Sequence, residues 1–299
     1  MPASCRLLIL WLAAVSGFAH AAISVRDDAG HSVVLQQPAR RVISLAPHVT
    51  ELLFAAGAGA RIVGVMNFSD FPEAAKKIPL IGSNNQVDIE RVIALRPDLL
   101  IVWQSGNTAR QIEQLRQLGV PMFFSEPHKL DDVASSIQRF GQLLGSGPAA
   151  QAAAAAYRQK VAALSARYAA RPPVRVFYQI WDQPLYTLNG QHIVSDAIRV
   201  CGGQNVFGAL GVVAPAVSIE AVLEANPEVI FGGDQHDPAD AGINLWRPYR
   251  SLLAVQQGNL FTLGGELLTR AGPRMADGTA LLCEKLELAR QRRPHAGVK

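Results

Sequence analysis

No G-x-S-x-G elbow, no G-x-x-x-x-G-K-[ST] loop and no H-E-x-x-H helix occurs in the 299 residues. Nucleophile-elbow hydrolases, P-loop nucleotidases and zincins are thereby excluded. Histidine is scarce and shows no paired spacing, which argues against a dedicated zinc or manganese carrier, so no metal site is assigned. Lysine and arginine are not clustered and the formal charge is only +4, so no nucleic-acid partner is expected. No apolar run is long enough to span a bilayer. Cysteine is nearly absent, with three in the whole chain. An enzyme is not expected.

The longest apolar run is at the start. Arg6, the run Leu7 to Phe18 and Ala19-His20-Ala21 have the order of a secretory leader, cleaved near Ala21/Ala22. Cys5 lacks the small and apolar residues that precede a lipoprotein cysteine, so a soluble exported protein is expected. The mature chain keeps Cys201 and Cys283. In an oxidising compartment, two cysteines in the same half suggest one disulfide; two buried free thiols are the alternative.

Apolar strands alternate with helical patterns along the whole mature chain. The strands read as Arg41–Leu45, Arg61–Met66, Leu99–Trp103, Val120–Phe124, Val174–Ile180, Val229–Phe231 and Leu260–Leu263. A short hairpin is expected over Ile23–Leu35. Helices are expected over Glu51–Ala56, Ile89–Leu95, Thr108–Leu118, Leu130–Leu144, His192–Val200, Ile219–Ala225, Tyr249–Gln256 and Pro273–Ala289. This order argues an α/β fold with parallel sheets covered on both faces. Gly57-Ala58-Gly59 has part of a dinucleotide fingerprint, but it follows a helix, and a helix stop is the better reading.

Between the halves lies Pro148–Arg171, rich in alanine and free of interior glycine or proline. Pro148 suits a first helical turn and Pro172-Pro173 ends the helix. Its 24 or so residues make a rod of about 36 Å. An ungapped repeat flanks it. Ile89-Glu-Arg-Val-Ile-Ala-Leu-Arg-Pro-Asp-Leu-Leu-Ile101 matches Ile219-Glu-Ala-Val-Leu-Glu-Ala-Asn-Pro-Glu-Val-Ile-Phe231, each after a helix-capping residue, Asp88 or Ser218. We therefore expect a leader (1–21), an N-terminal lobe (22–147), a linking helix (148–171) and a C-terminal lobe (172–299). Loops beyond the strand ends would form a cleft between the lobes.

Five stretches resemble one family: Arg41-Val-Ile-Ser-Leu-Ala-Pro-His-Val-Thr-Glu51, Ser69-Asp-Phe-Pro72, Ile89 to Trp103, Cys201-Gly-Gly-Gln-Asn-Val-Phe207 and Arg270-Ala-Gly-Pro-Arg274. The family is the periplasmic cobalamin-binding proteins of ABC importers, within the helical-backbone (class III) substrate-binding proteins. Haem and ferric-siderophore binders are relatives. The resemblance implies two Rossmann-like lobes joined by a rigid helix and a monomer working in the periplasm. The ligand would be cobalamin or a related corrinoid, with haem or a ferric siderophore as the alternative, and no resident cofactor. It further implies that Glu90 and Glu220 dock on the permease dimer and that Cys201 and Cys283 are bridged. A Glu in a first helical turn is also favoured by the helix dipole alone.

A flat macrocycle wants aromatic walls and a few polar anchors. Phe68, Trp103, Trp181, Tyr186, Glu266 and Arg270 are the candidates at strand ends. Phe68 and Trp103 would equally serve as lobe core, and Arg270 as a structural ion-pair partner. Arg274 reads as helix or docking surface. The family's tryptophan six residues before each docking glutamate is missing, its places taken by Asn84 and Ala214; Trp181 and Trp246 could substitute. His48 stands where relatives have small residues, facing the expected cleft. It could ligate cobalt or iron, or simply bond to turn backbone. His128 carries the same alternatives with less support.

Overall fold

The computed structural model describes residues 22–83, 86–233 and 242–294. The expected leader and Asn84 lie outside these residues. The first half begins with an antiparallel hairpin, β1 (Ile23–Arg26) and β2 (Ser32–Leu35). It continues through β3 (Val42–Ser44), α1 (Pro47–Ala55), β4 (Ile62–Val65), the short ladder of β5 (Gly82–Ser83) and β6 (Gln86–Val87), and α2 (Ile89–Ala94). It ends with β7 (Leu99–Trp103), α3 (Ala109–Arg116), β8 (Met122–Ser125) and α4 (Leu130–Leu144). After α5 (Gly147–Tyr168) come β9 (Val174–Gln179), the hairpin β10 (Trp181–Asp182) and β11 (Leu185–Tyr186), α6 (Ile193–Val200) and β12 (Gly203–Asn205). Then follow α7 (Ile219–Ala225), β13 (Val229–Gly233), α8 (Leu253–Gln256), β14 (Leu260–Leu263), α9 (Gly265–Leu268) and α10 (Met275–Gln291).

Two four-stranded sheets result, ordered β4-β3-β7-β8 and β12-β9-β13-β14, with every neighbouring pair parallel. The order is the same in both. In each, the first strand lies inside, flanked by the second and third, and the fourth forms the edge. The sequence repeat falls on equivalent pieces. Asp88 and Ser218 cap α2 and α7, accepting from Arg91 N and Ala221 N. Seven residues after each repeat begins, Arg96 and Asn226 both take a left-handed backbone, φ 44° and 40°. The first strand of each sheet also sends a guanidinium to the end of its repeat helix: Arg41 to Leu95 O at 2.6 Å, and Arg175 to Ala225 O.

Strand alternation decides where the cores sit. Along β7, Leu99 and Ile101 face one apolar cluster while Leu100 and Val102 face another. Along β13, Val229 and Phe231 join the first of these clusters and Ile230 a third. The inner faces of both sheets therefore close on one shared core. Ala150, Ala154 and Tyr157 of α5 belong to it. The small side chains let helices approach closely: a Cβ on Gly141 of α4 would come within 2.2 Å of the Ala150 Cβ. Thus α5 is a packed element of a common core rather than a bar between separate ones.

Several expectations need correction. Helix α1 starts at Pro47, taking in the segment read as a turn. The stretch 249–256 is helical only over Leu253–Gln256, with a 3-10 turn earlier at Ile243–Trp246. Trp246, considered as a ligand wall, is fully buried and donates from Nε1 to Gln179 Oε1 at 2.6 Å. It packs edge-on against Phe177 and belongs to the outer core of the second sheet.

Cys201, at the end of α6, is bonded to Cys283 in α10, and both are buried. The bridge spans 82 positions. Chain entropy alone assigns such a loop about 4 kcal/mol. A Cys201→Ser, Cys283→Ser protein is expected to melt roughly 5–10 °C lower by calorimetry. An unchanged melting temperature would show that the bridge constrains little.

Candidate ligand-binding cleft

The carboxyl ends of both sheets carry the loops where ligands of open parallel sheets bind. After β4 the chain passes through Phe68 at φ 63°, a conformation that a bulky residue keeps only when its neighbours hold it. The holding bonds are Asn67 N to Gly82 O at 2.9 Å and Ser69 N to Met66 O at 3.2 Å. Buried Ser69 also accepts from Thr50 Oγ1 at 3.1 Å. Phe68 itself is 59% exposed, so it is not lobe core.

Trp103 ends β7 half-buried. Gly106 lies under its ring, since a Cβ there would come within 1.9 Å of Cε3. Against expectation, His48 does not present an open face. It is 4% exposed and meets the Trp103 ring edge-on, with centroids 5.4 Å apart. Its Nε2 has no hydrogen-bond partner. Burial pushes its pKa down to about 4, so the imidazole is neutral at physiological pH.

In the second half, Trp181 and Tyr186 face each other across the β10–β11 hairpin. Trp181 is half exposed and its Nε1 donates to Gln183 O at 2.9 Å. Ala214 is exposed. Glu90 and Glu220 occupy the second position of α2 and α7, both exposed. The Glu220 carboxyl is held below its ordinary value by its own backbone N–H and by Ser218.

The two halves meet in an ion cluster that sequence reasoning only partly found. Arg270 lies 2.6 Å from Asp70, 3.5 Å from Glu51 and 3.8 Å from Glu266. Arg274 donates to Glu51 from Nη2 at 2.6 Å and from Nε at 3.0 Å, and reaches Glu266 at 3.4 Å. Its guanidinium also covers the Phe71 ring at 4.3 Å. Arg274, read as helix or docking surface, ties the second half to the first through Glu51. Glu51, with its side chain 2% exposed, is the residue that was missed. The available hint was an acid inside an apolar helix, because a buried carboxylate requires a partner. Asp70 is held below its ordinary value chiefly by the Arg270 hydrogen bond.

The family model for periplasmic binding proteins matches residues 42–267. The chain belongs to the periplasmic binding protein family. It is similar to the Vitamin B12-binding protein of Vibrio parahaemolyticus, 36% identical over 258 residues, covering 86% of this chain and 93% of that one. Among solved structures it is similar to the periplasmic Vitamin B12 binding protein BtuF of Vibrio cholerae. The TM-score is 0.79 at 36% identity, over 85% of this chain and 99% of that one. It is also similar to the periplasmic heme-binding protein RhuT from Roseiflexus, with a TM-score of 0.72 at 26% identity, over 84% and 99% of the two chains.

His192 of this binding protein caps α6 by accepting Val194 N at Nδ1, and its pKa is also pushed down to about 4, by burial and by His128. In the unfolded chain both imidazoles take a proton near pH 6.5, so between 6.5 and 4 the unfolded state binds more protons. Their contribution to stability is complete above pH 6.5 and is lost as pH falls towards 4. At pH 5 the loss is about 2 kcal/mol for each imidazole. Urea unfolding at pH 7 and pH 5 should show this loss in the wild type, and about half of it in His48→Leu. An equal loss in both proteins would place the titration elsewhere.

Proposed function

We propose that the chain captures cobalamin or a related corrinoid between its two sheets and delivers it to the permease dimer of an ABC importer in the inner membrane. It would work as a monomer in the periplasm, after cleavage near Ala21/Ala22, with lobes 22–147 and 172–299 on either side of the linking helix. Its role is binding and delivery, without turnover. The observation that carries the ligand class is the match to Vitamin B12-binding relatives along 93% of the length of the first of them. The site chemistry fits that class. Phe68, Trp103, Trp181 and Tyr186 offer aromatic surface from both halves for the faces of a macrocycle. Arg270 and Glu266 offer charged groups for its amide rim.

A haem reading has less support. The haem-binding neighbour shares 26% identity, and His48, the residue best suited to iron, is closed off by Trp103. Mixing the purified protein with cyanocobalamin, cobinamide or haemin and then desalting separates the readings. Corrinoid colour should stay with the protein and haemin colour should not; the reverse result would overturn the assignment.

Glu90 and Glu220 are the proposed docking pair. They sit at the same topological station of two equivalent sheets, exposed, on helices whose caps are already satisfied by Asp88 and Ser218. A Glu90→Ala, Glu220→Ala protein should lose stimulation of the reconstituted transporter while binding ligand as the wild type does. Weakened ligand binding would remove the pair from the docking surface.

A further inference from the structure

The boundary between the halves has two equivalent stations. Glu51 of α1 lies six residues before Gly57, and Asp196 of α6 six residues before Gly202. Both glycines end their helices in the left-handed region, at φ 75° and 69°. A hydroxyl residue precedes each acid, Thr50 or Ser195, and each hydroxyl donates to a nearby loop, Thr50 to Ser69 Oγ and Ser195 to Asn189 O. Each acid then reaches across to the start of the other half's last helix. Glu51 takes Arg274 at the start of α10, and Asp196 takes Leu130 N, the first residue of α4, at 2.9 Å.

The two stations differ in what surrounds the acid. At Glu51, three carboxylates meet Arg270 and Arg274, and Phe71 covers Arg274. At Asp196 the boundary opens into a crevice of about 520 Å³, lined by His128 and Lys129 from the first half and Gly190, Gln191, Asp196 and Arg199 from the second. His128 and Lys129 follow the carboxyl end of β8 by three and four residues, and Gly190 and Gln191 stand just before α6.

Its carboxylates are already engaged. Asp196 holds Leu130 N and Arg199, and Asp132 holds the backbone N–H groups of His128 and Lys129. Lys129 is exposed and has no ion-pair partner among the described residues. With Arg199 taken up by Asp196, the crevice still presents three donor groups, the Lys129 ammonium, the His128 imidazole and the Gln191 amide. Its second wall is braced. Gly190 N bonds Gly208 O at 2.9 Å, and Gln191 N bonds Oδ1 of buried Asn189 at 2.9 Å. Asn189 Nδ2 in turn donates to Leu210 O at 2.8 Å.

We infer that this crevice receives the phosphodiester-bearing nucleotide arm of a complete corrinoid, and so orients the ligand with its arm away from the ion-paired Glu51 station. This rests on the corrinoid reading above. A phosphodiester is an acceptor-only anion, and the crevice supplies donors from both halves to meet it. Engagement of groups from both halves would also couple the arm to closure. A corrinoid without the arm would bind through the ring alone.

Tryptophan-fluorescence titration with cyanocobalamin and with dicyanocobinamide, which lacks the nucleotide arm, tests the inference. The proteins are the wild type, Lys129→Ala and Lys129→Ala with Gln191→Ala. Both positions are exposed, and equal melting temperatures will confirm that the variants fold. Loss of a charge-assisted contact should weaken cyanocobalamin about tenfold. Dicyanocobinamide should change less than about twofold, and added salt should weaken cyanocobalamin in the wild type more than in the variants. Unchanged cyanocobalamin binding, or an equal loss for both ligands, overturns the inference while leaving the corrinoid reading intact. If the wild type binds neither ligand, the corrinoid reading falls and this inference with it.

Discussion

A carboxylate with almost no exposure cannot remain charged without partners, and Glu51 obtains them from the other half of the chain. That requirement fixes much of the boundary. Arg274 must stand at the start of α10, and Arg270 must lie close by. Gly272 lies between them, and a Cβ there would come within 3.2 Å of Glu51 Oε2, so a larger residue would displace the carboxylate by a few tenths of an ångström. The R-A-G-P-R stretch is therefore shaped as much by the need to neutralise Glu51 as by any ligand. Removing one partner of such a pair typically costs about 3–5 kcal/mol, because the other charge is left buried. The exposed side of the cluster is weaker: Asp70 is 41% exposed, and its bridge to Arg270 is screened by solvent.

The ion cluster acts on two sheets that already share a core. The inner faces of both close on one apolar cluster through α5, with α4 packed hard against it. A packed interior resists continuous deformation. Wide hinge motion would have to separate Ala150, Ala154 and Tyr157 from neighbours in one half or the other. Small adjustments at the cleft rim are compatible with this core, and a broad opening is not. The rigidity attributed to the linking helix thus resides in its packing more than in its alanine-rich sequence.

Much of this architecture was legible from the sequence because it is written in local rules. The repeat Ile89–Ile101 and Ile219–Phe231, the capping residues Asp88 and Ser218, and the helix-ending Gly57 all work within a few residues of themselves. The structure places them as read. The site was less legible because its chemistry depends on contacts between distant residues. Trp246 looks the same in sequence whether it lines a cleft or fills a core, and only the Gln179 acceptor and the Phe177 edge decide for the core. His48 lies in the first turn of α1 rather than in a turn before it, and Trp103, fifty-five positions later, closes over it. Glu51 and Arg274 are separated by 223 positions, so neither could indicate the other.

The repeated plan also shows how one backbone arrangement carries two unlike contacts between the halves. At equivalent stations the chain places Glu51 and Asp196, which differ by one methylene. The longer side chain reaches a guanidinium of the facing segment and gathers arginines around itself. The shorter one takes the backbone N–H of Leu130 and pairs with Arg199 of its own helix, while Lys129 beside it has no ion-pair partner among the described residues. Backbone equivalence follows from the shared strand order, glycine stops and caps, which tolerate little change. At both stations the acid finds a donor in the other half. Asymmetry between the two stations thus comes down to the reach of one side chain at each.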